Sequence, residues 1–251
     1  LKTTKVIILP DMQYPQQDDR AINIAMQLVE YYRPDIIINL GDVVACDSIS
    51  RYPKASWYDA TVTLKMEMDI VNKGLDKQDK IFKRSGVKRK ILLEGNHENR
   101  ITRWLTNNAV QIGDIESLRI ENLLRLNDRG YEYVLSRDQP IKMGKANILH
   151  GYFVNKYHAF KTISETGHNC LYGHTHDYQA YICSHLPDDP PRLAMSFGCL
   201  CKFDQSYIGK NPTRWVHGIG IMEFVPDGFF TAYFLPIIGY RCIFNNREFK
   251  V

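Results

Sequence analysis

The sequence predicts an α/β fold, and three observations lead there. Short aliphatic runs alternate with helical periodicity through the first part of the chain, as in Lys5–Leu9, Ile22–Tyr32 and Asp35–Leu40. Two of those runs end in an aspartate, Asp11 and Asp42, where open α/β sheets carry their ligands. From about residue 146 the pattern changes to short strand-like runs separated by turn residues. With 251 residues, 44% of them hydrophobic and 24% charged, the chain has the apolar bulk for one core. The expectation is a single domain over 1–251, with a helical basic insertion at about 57–90 and a β-rich C-terminal half.

Each element has a local reason. Lys5–Leu9 is β-branched and aliphatic and stops at Pro10-Asp11. Asp18 and Asp19 supply negative charge for a helix start, and Ile22, Ala25, Met26, Val29 and Tyr32 follow helical spacing until Pro34 ends it. Asp35–Leu40, with Ile-Ile-Ile at its centre, reads as a strand buried on both faces. Val43–Ser56 is irregular. Thr61–Phe82 reads as a long helix on Leu64, Met68, Val71 and Leu75, and Lys90–Leu93 as the next strand. Ile101–Leu126 reads as mostly helical, interrupted near Gly113-Asp114. Strands follow at Ala146–Leu149, Asn169–Tyr172, Leu193–Phe197, Gly220–Phe224, Phe230–Leu235 and Arg241–Phe244, with turns such as Pro226-Asp227-Gly228 suggesting hairpins.

Composition also excludes classes. No apolar run approaches the ~18 residues of a membrane span. Lys2–Leu9 leads straight into a strand, so no signal or transit segment is expected, and a cytoplasmic protein is. Six cysteines in a chain of this size read as reduced thiols rather than a disulfide scaffold. Cys199 and Cys201 share a face of an extended stretch but have no second close pair to complete a structural zinc, so they read as small buried hydrophobes. A net charge of +4 is too weak to imply nucleic acid. The run from Lys73 to Lys90 is denser, with eight cations against Asp76 and Asp79. It reads as a solvated helix face, or as a track for a phosphate backbone if that face adjoins the reactive site.

The chemistry lies in five short motifs in fixed order, each after an apolar run: Asp11-Met12-Gln13, Gly41-Asp42, Gly95-Asn96-His97-Glu98, His150-Gly151 and Gly173-His174-Thr175-His176. Taken singly, an aspartate after a strand is as readily a turn residue, and His150 a strand-end histidine. Together they form a mixed carboxylate, amide and imidazole set, which suits two divalent ions. Such a pair, ~3.5–4 Å apart, can activate water and clamp a phosphate ester.

With these motifs the chain resembles the calcineurin-like metallophosphoesterases, whose pattern is D-x-H, G-D, G-N-H-D/E, H and G-H-x-H. The resemblance spans roughly Lys5 to Asp177 and implies a four-layer α/β/β/α sandwich of two mixed sheets flanked by helices. It implies that Asp42 bridges both ions, that Asp11 and His176 hold the first, and that Asn96, His150 and His174 complete the second. Gln13 stands where the family has a histidine, implying a weaker first site and favouring Mn²⁺ over Zn²⁺, with Fe, Ni or Mg as other candidates. His97 is implied as the acid assisting the leaving oxygen, with Glu98 orienting it. Asp47 is left out of the ligand set, because Ala45 stands where a further acid is expected.

The family does not fix the substrate. The Asp-Arg-Gly of Ser/Thr protein phosphatases is absent, Val43-Val44-Ala45 standing there. Asp47–Tyr52, Asn99-Arg100-Ile101 and Trp215-Val216-His217-Gly218 look like short metallophosphoesterases of bacteria and their phages, which would act in the host cytoplasm. That likeness implies a phosphodiesterase or nuclease acting on DNA or nucleotides. A phosphomonoesterase is the alternative, and a degenerate interaction module a third reading. Arg51, Lys54, Arg100 and Arg103 could grip phosphate, and Tyr52, Trp57 and Trp104 could stack a base.

Overall fold

In a computed structural model, which describes residues 2–51, 60–135, 140–184, 190–205, 208 and 213–251, strand β1 (Thr4–Leu9) sends Ile7 and Leu9 to one face of its sheet and Val6 and Ile8 to the other. That is the period-2 rule acting on a run with no polar face. The same division holds in β2 (Ile36–Asn39) and β3 (Arg89–Leu93), which pair in parallel beside β1. The strand β4 (Tyr131–Val134) adds a parallel edge. On the other side of β1, the antiparallel hairpin of β10 (His217–Phe224) and β11 (Phe230–Ile237) completes six strands, in the order β11-β10-β1-β2-β3-β4.

The second sheet has the order β5-β6-β7-β9-β8, from β5 (Ile141–Met143), β6 (Ala146–Leu149), β7 (Cys170–Tyr172), β8 (Ala180–Cys183) and β9 (Arg192–Ser196). A small hairpin, β12 (Arg241–Phe244) with β13 (Arg247–Lys250), forms a sheet of its own and buries Cys242 and Phe249 in the core. Val6, Ile8, Ile38 and Ile91 of the first sheet meet Met143, Ile148, Leu171 and Met195 of the second. The outer face of the first sheet is covered by α1 (Asp19–Tyr32) and α2 (Leu64–Ser85), that of the second by α4 (His158–Thr166); α3 (Asn99–Asn108) follows β3. The architecture is therefore a four-layer α/β/β/α sandwich of two mixed sheets.

Caps set the helix limits. Asp18 accepts hydrogen bonds from the amides of Arg20 and Ala21 and opens α1. Thr63 accepts from the Met66 amide, so α2 starts later than its periodicity suggests, and it runs on to Gly86, whose left-handed φ of 79° closes it. This helix is not an insertion. It buries Val71, Leu75 and Phe82 in the core as the crossover between β2 and β3. Residues 57–59 of that expectation lie outside the described residues.

Beyond Asn108 the expected long helix breaks into four short helical turns. Their buried side chains, Ile120, Leu124 and Leu126, are too few to form the continuous apolar stripe that holds a helix on a core. The hairpin reading of the C-terminal half holds at β10–β11, where the Gly228 amide donates to the Val225 carbonyl at 2.9 Å. It fails for β6, β7 and β9, which run parallel with α4 as the crossover between the first two. All six cysteines are free thiols. Among the described residues no helix is long and apolar enough to cross a membrane.

Candidate metal centre

The parallel strands point their C-terminal ends to one place. There β1, β2 and β3 deliver Asp11, Asp42 and the 95–98 turn from the first sheet, while β6 and β7 deliver His150 and the 173–176 turn from the second. The backbone is bent hard at these points. Asp11 (φ 24°), Gln13 (50°), Asp42 (50°), His174 (71°) and His176 (59°) all sit in the left-handed region. For residues with a Cβ such conformations cost on the order of 1–3 kcal/mol each and gather at functional sites. Two glycines let chains touch: a Cβ on Gly95 would run into the Asp42 carboxylate, and one on Gly173 into that of Asp11.

Two ligand sets result, with Asp42 common to both. Asp42, His150 and His174 bring one ligand atom each within 4.8 Å of one another, as do Asp11, Asp42 and His176. The His150 ring fixes the polarity of the first set. Its Nδ1–H donates to the Leu40 carbonyl at 2.8 Å, leaving Nε2 facing Asn96 Oδ1 at 3.0 Å and Asp42 Oδ2 at 3.4 Å. Both oxygens only accept, so a cation belongs among them. Burial opposes protonation of His150, but the Asp42 charge outweighs it and lifts the imidazole to about 10. Burial, reinforced by the His150 charge, holds His174 down to about 4, so its ring is neutral and ready to ligate. These oxygen and imidazole donors fit hard or borderline divalent ions.

Gln13 reaches the centre with its amide turned around. Gln205 Nε2 donates to Gln13 Oε1 at 2.6 Å, and Gln13 Nε2 stands 3.4 Å from the Nε2 atoms of both His97 and His176. The Gln13 Oε1 is thus taken up by Gln205, and its Nε2 faces the two rings.

His97 is held by groups other than the one expected. Its Nδ1–H donates to the Ala45 carbonyl at 2.8 Å, and Nε2 accepts from Arg100 Nη2 at 3.2 Å. Arg100 is in turn fixed by the Ala45 carbonyl and by Asp47 at 2.6 Å. Burial pushes His97 below its ordinary value; the Asp42 charge opposes this and Arg100 adds to it. The expected orienting of His97 by Glu98 is corrected. Glu98, fully buried, accepts from the amides of Asp42 (2.8 Å), Val43 (2.7 Å), Val44 (3.2 Å) and Gly95 (2.9 Å). It ties the loop after β2 to the turn after β3. Burial and the Asp42 charge push its carboxyl up to about 7.

A cleft of about 370 Å³ opens beside Asn96, lined by Ser48, Ser50, Arg51, Arg100, Arg103, Trp104 and Asn107. It gathers the arginines and one of the tryptophans singled out from the sequence; Tyr52, Lys54 and Trp57 lie outside the described residues. The basic run does not adjoin the centre in its second half. Arg84, Lys88, Arg89 and Lys90 pair with Glu30, Asp35, Glu132 and Asp79, around the strand N-termini at the opposite end of the sheet. Lys73, Lys77, Lys80 and Lys83 line the exposed face of α2.

His168 is exposed, and His185 lies outside the described residues. His158 is buried between Tyr172 (2.6 Å) and Asp177 (2.8 Å), and His217 bonds to the Cys201 carbonyl. Sequence reasoning missed Gln205 and the packing of Trp215 on the His176 ring, at 4.1 Å between centroids. Neither has a local signal, because each contact joins distant parts of the chain.

Several solved structures are similar to this chain over most of its length. Vps29 from Entamoeba histolytica complexed with zinc is 11% identical with a TM-score of 0.48, over 99% of this chain and 98% of that one. Vps29 from Cryptosporidium parvum is 12% identical at 0.46, over 99% of each. Yfce, a phosphoesterase from E. coli, is 14% identical at 0.39, over 92% and 98%. No curated protein matches the chain. The calcineurin-like phosphoesterase family matches residues 4–190, which span all five motifs and well over half of the sequence, and the chain belongs to that family.

Proposed function

We propose that this phosphoesterase hydrolyses phosphodiesters of nucleic acid or nucleotides, in the cytoplasm, with two divalent ions and a preference for Mn²⁺. The observation that favours a diester is the cleft beside Asn96, which offers an exposed Trp104 face and the cations of Arg51 and Arg103 next to the ligand sets. A monoester needs one such contact region less. Asp11, Asp42 and His176 would hold one ion, and Asp42, Asn96, His150 and His174 the other. Bound there, the ions supply an activated water and neutralise charge on the phosphoryl oxygens.

The chain's own groups do the rest. His97, anchored by Ala45, presents Nε2 to the reacting phosphate for proton transfer to the leaving oxygen, or for charge stabilisation. Arg100 holds that ring and places a second cation beside it. Trp104 stacks a base and Arg103 contacts the backbone. The test is turnover of bis-p-nitrophenyl phosphate, p-nitrophenyl phosphate and single-stranded DNA with Mn²⁺. The diester and DNA should be preferred, and Trp104→Ala should raise KM for DNA roughly 5-fold or more while sparing the small diester. Turnover of the monoester alone would replace this reading with a phosphomonoesterase.

Gln13 makes the two ions unequal. Calorimetric titration with Mn²⁺ should resolve one tight and one weaker site. Gln13→His should tighten the weaker one on the order of tenfold or more, since even outer contacts to metal ligands change affinity by that much. Two equally tight sites in the wild type would sink the idea.

A further inference from the structure

We propose that Cys199, Cys201 and the Nδ1 edge of His176 form a separate site for a thiophilic ion such as Zn²⁺ or Cd²⁺, in competition with the first ion of the phosphoesterase centre. Three groups of potential ligands occur among the described residues, and this is the one that contains sulfur. The two Sγ atoms and the His176 nitrogen lie within 4.8 Å of one another, with Cys201 Sγ 3.8 Å from His176 Nδ1. At Zn–S and Zn–N bonds of about 2.3 and 2.0–2.1 Å, ligand atoms around a tetrahedral ion sit roughly 3.5–4 Å apart, so small side-chain shifts suffice.

The backbone holds the thiols in this position. The Cys199 amide donates to the Val216 carbonyl, the Leu200 amide to that of Asp11 and the Lys202 amide to that of Gln16, so 199–201 is pinned from both sides. Both thiols come within 4.8 Å of His176, while Leu200 packs in the core with the helices. Gly198 (φ 69°) makes the approach possible, because a Cβ there would run into the Val216 carbonyl. Thiolate ligands select soft ions, whereas the carboxylate sets beside them select hard ones.

The shared ring makes the two occupancies exclusive. His176 Nε2 lies 3.3 Å from Asp11 Oδ1. When Nδ1 ligates the soft ion, the ring's one proton sits on Nε2 and is donated to Asp11, so the first hard ion loses its imidazole. The two thiol protons are released to solvent. The site goes beyond the proposed reaction and stands whether or not diesters are the substrate.

The experiment is a Cd²⁺ titration of the reduced full chain, followed by the ultraviolet sulfur-to-metal charge-transfer band. The band should saturate at one equivalent and vanish in the Cys199→Ser/Cys201→Ser double variant, which keeps the other four cysteines. Cys199→Ala alone should give about half the band and covers the case where the double variant does not fold. In Mn²⁺-loaded wild type, one equivalent of Cd²⁺ should free one Mn²⁺, read by electron paramagnetic resonance, and none in the double variant. No band in the wild type, a band that survives both substitutions, or a band that forms while both Mn²⁺ ions stay bound would each overturn the proposal.

Discussion

Asparagine in place of His97 is expected to cut kcat by about 10²–10⁴-fold, the usual worth of a positioned proton donor or acceptor. Both ions should stay in place, since the ring serves neither ligand set. The structure adds a pH signature. Burial lowers the His97 imidazole, so its protonated form disappears at a lower pH than for an ordinary histidine. If the protonated ring assists the leaving oxygen, kcat/KM of the wild type should decline on the alkaline side from below the usual imidazole range, and the variant should lack that limb. Asp47→Asn would loosen Arg100 and move the same limb with a smaller loss of rate. An unchanged kcat in His97→Asn, at full metal loading, would remove the residue from the mechanism.

The second large effect is on stability and comes from Glu98→Ala. Four buried amides, those of Asp42, Val43, Val44 and Gly95, would lose their acceptor together. Even at about 1 kcal/mol per orphaned amide the loss is roughly 4 kcal/mol. For a chain of this size that is roughly 10 °C in melting temperature. Glu98→Gln keeps one acceptor oxygen and should recover part of the difference. Metal affinity should fall with stability, because the loop released is the one that carries Asp42. Thermal unfolding with and without Mn²⁺ reads both effects, and a melting curve superimposable on the wild type would show that the four amides find other partners.

The motifs were legible because the chain delivers them locally. Ile36–Asn39 is aliphatic enough to be a buried strand, and Gly41-Asp42 follows it covalently, so strand and ligand are read in one glance. The same holds for Asn96 after β3 and His174 after β7. The edge strands β4, β5 and β8 carry little sequence signal because they are three or four residues long, too short to show an alternation. The reversal of the Gln13 amide was illegible for a different reason: its cause is Gln205, 192 positions away. The position of Glu98 next to His97 suggests a partnership, whereas the turn aims its carboxylate back at the loop after β2. Sequence neighbours on a tight turn point in different directions, and only the fold says which.

The place of β1 in its sheet has a consequence for how the protein is made. Its neighbour on one side, β2, follows some thirty residues later, but its neighbour on the other, β10, leaves the ribosome more than 200 residues after it. At roughly 5–20 residues per second, the open edge of β1 waits on the order of ten to forty seconds during synthesis. In that interval the strand that leads to Asp11 has an unpaired side, and the first half of the chain is a client for chaperones or a template for wrong pairing. The nascent chain becomes an enzyme only when its last long hairpin docks.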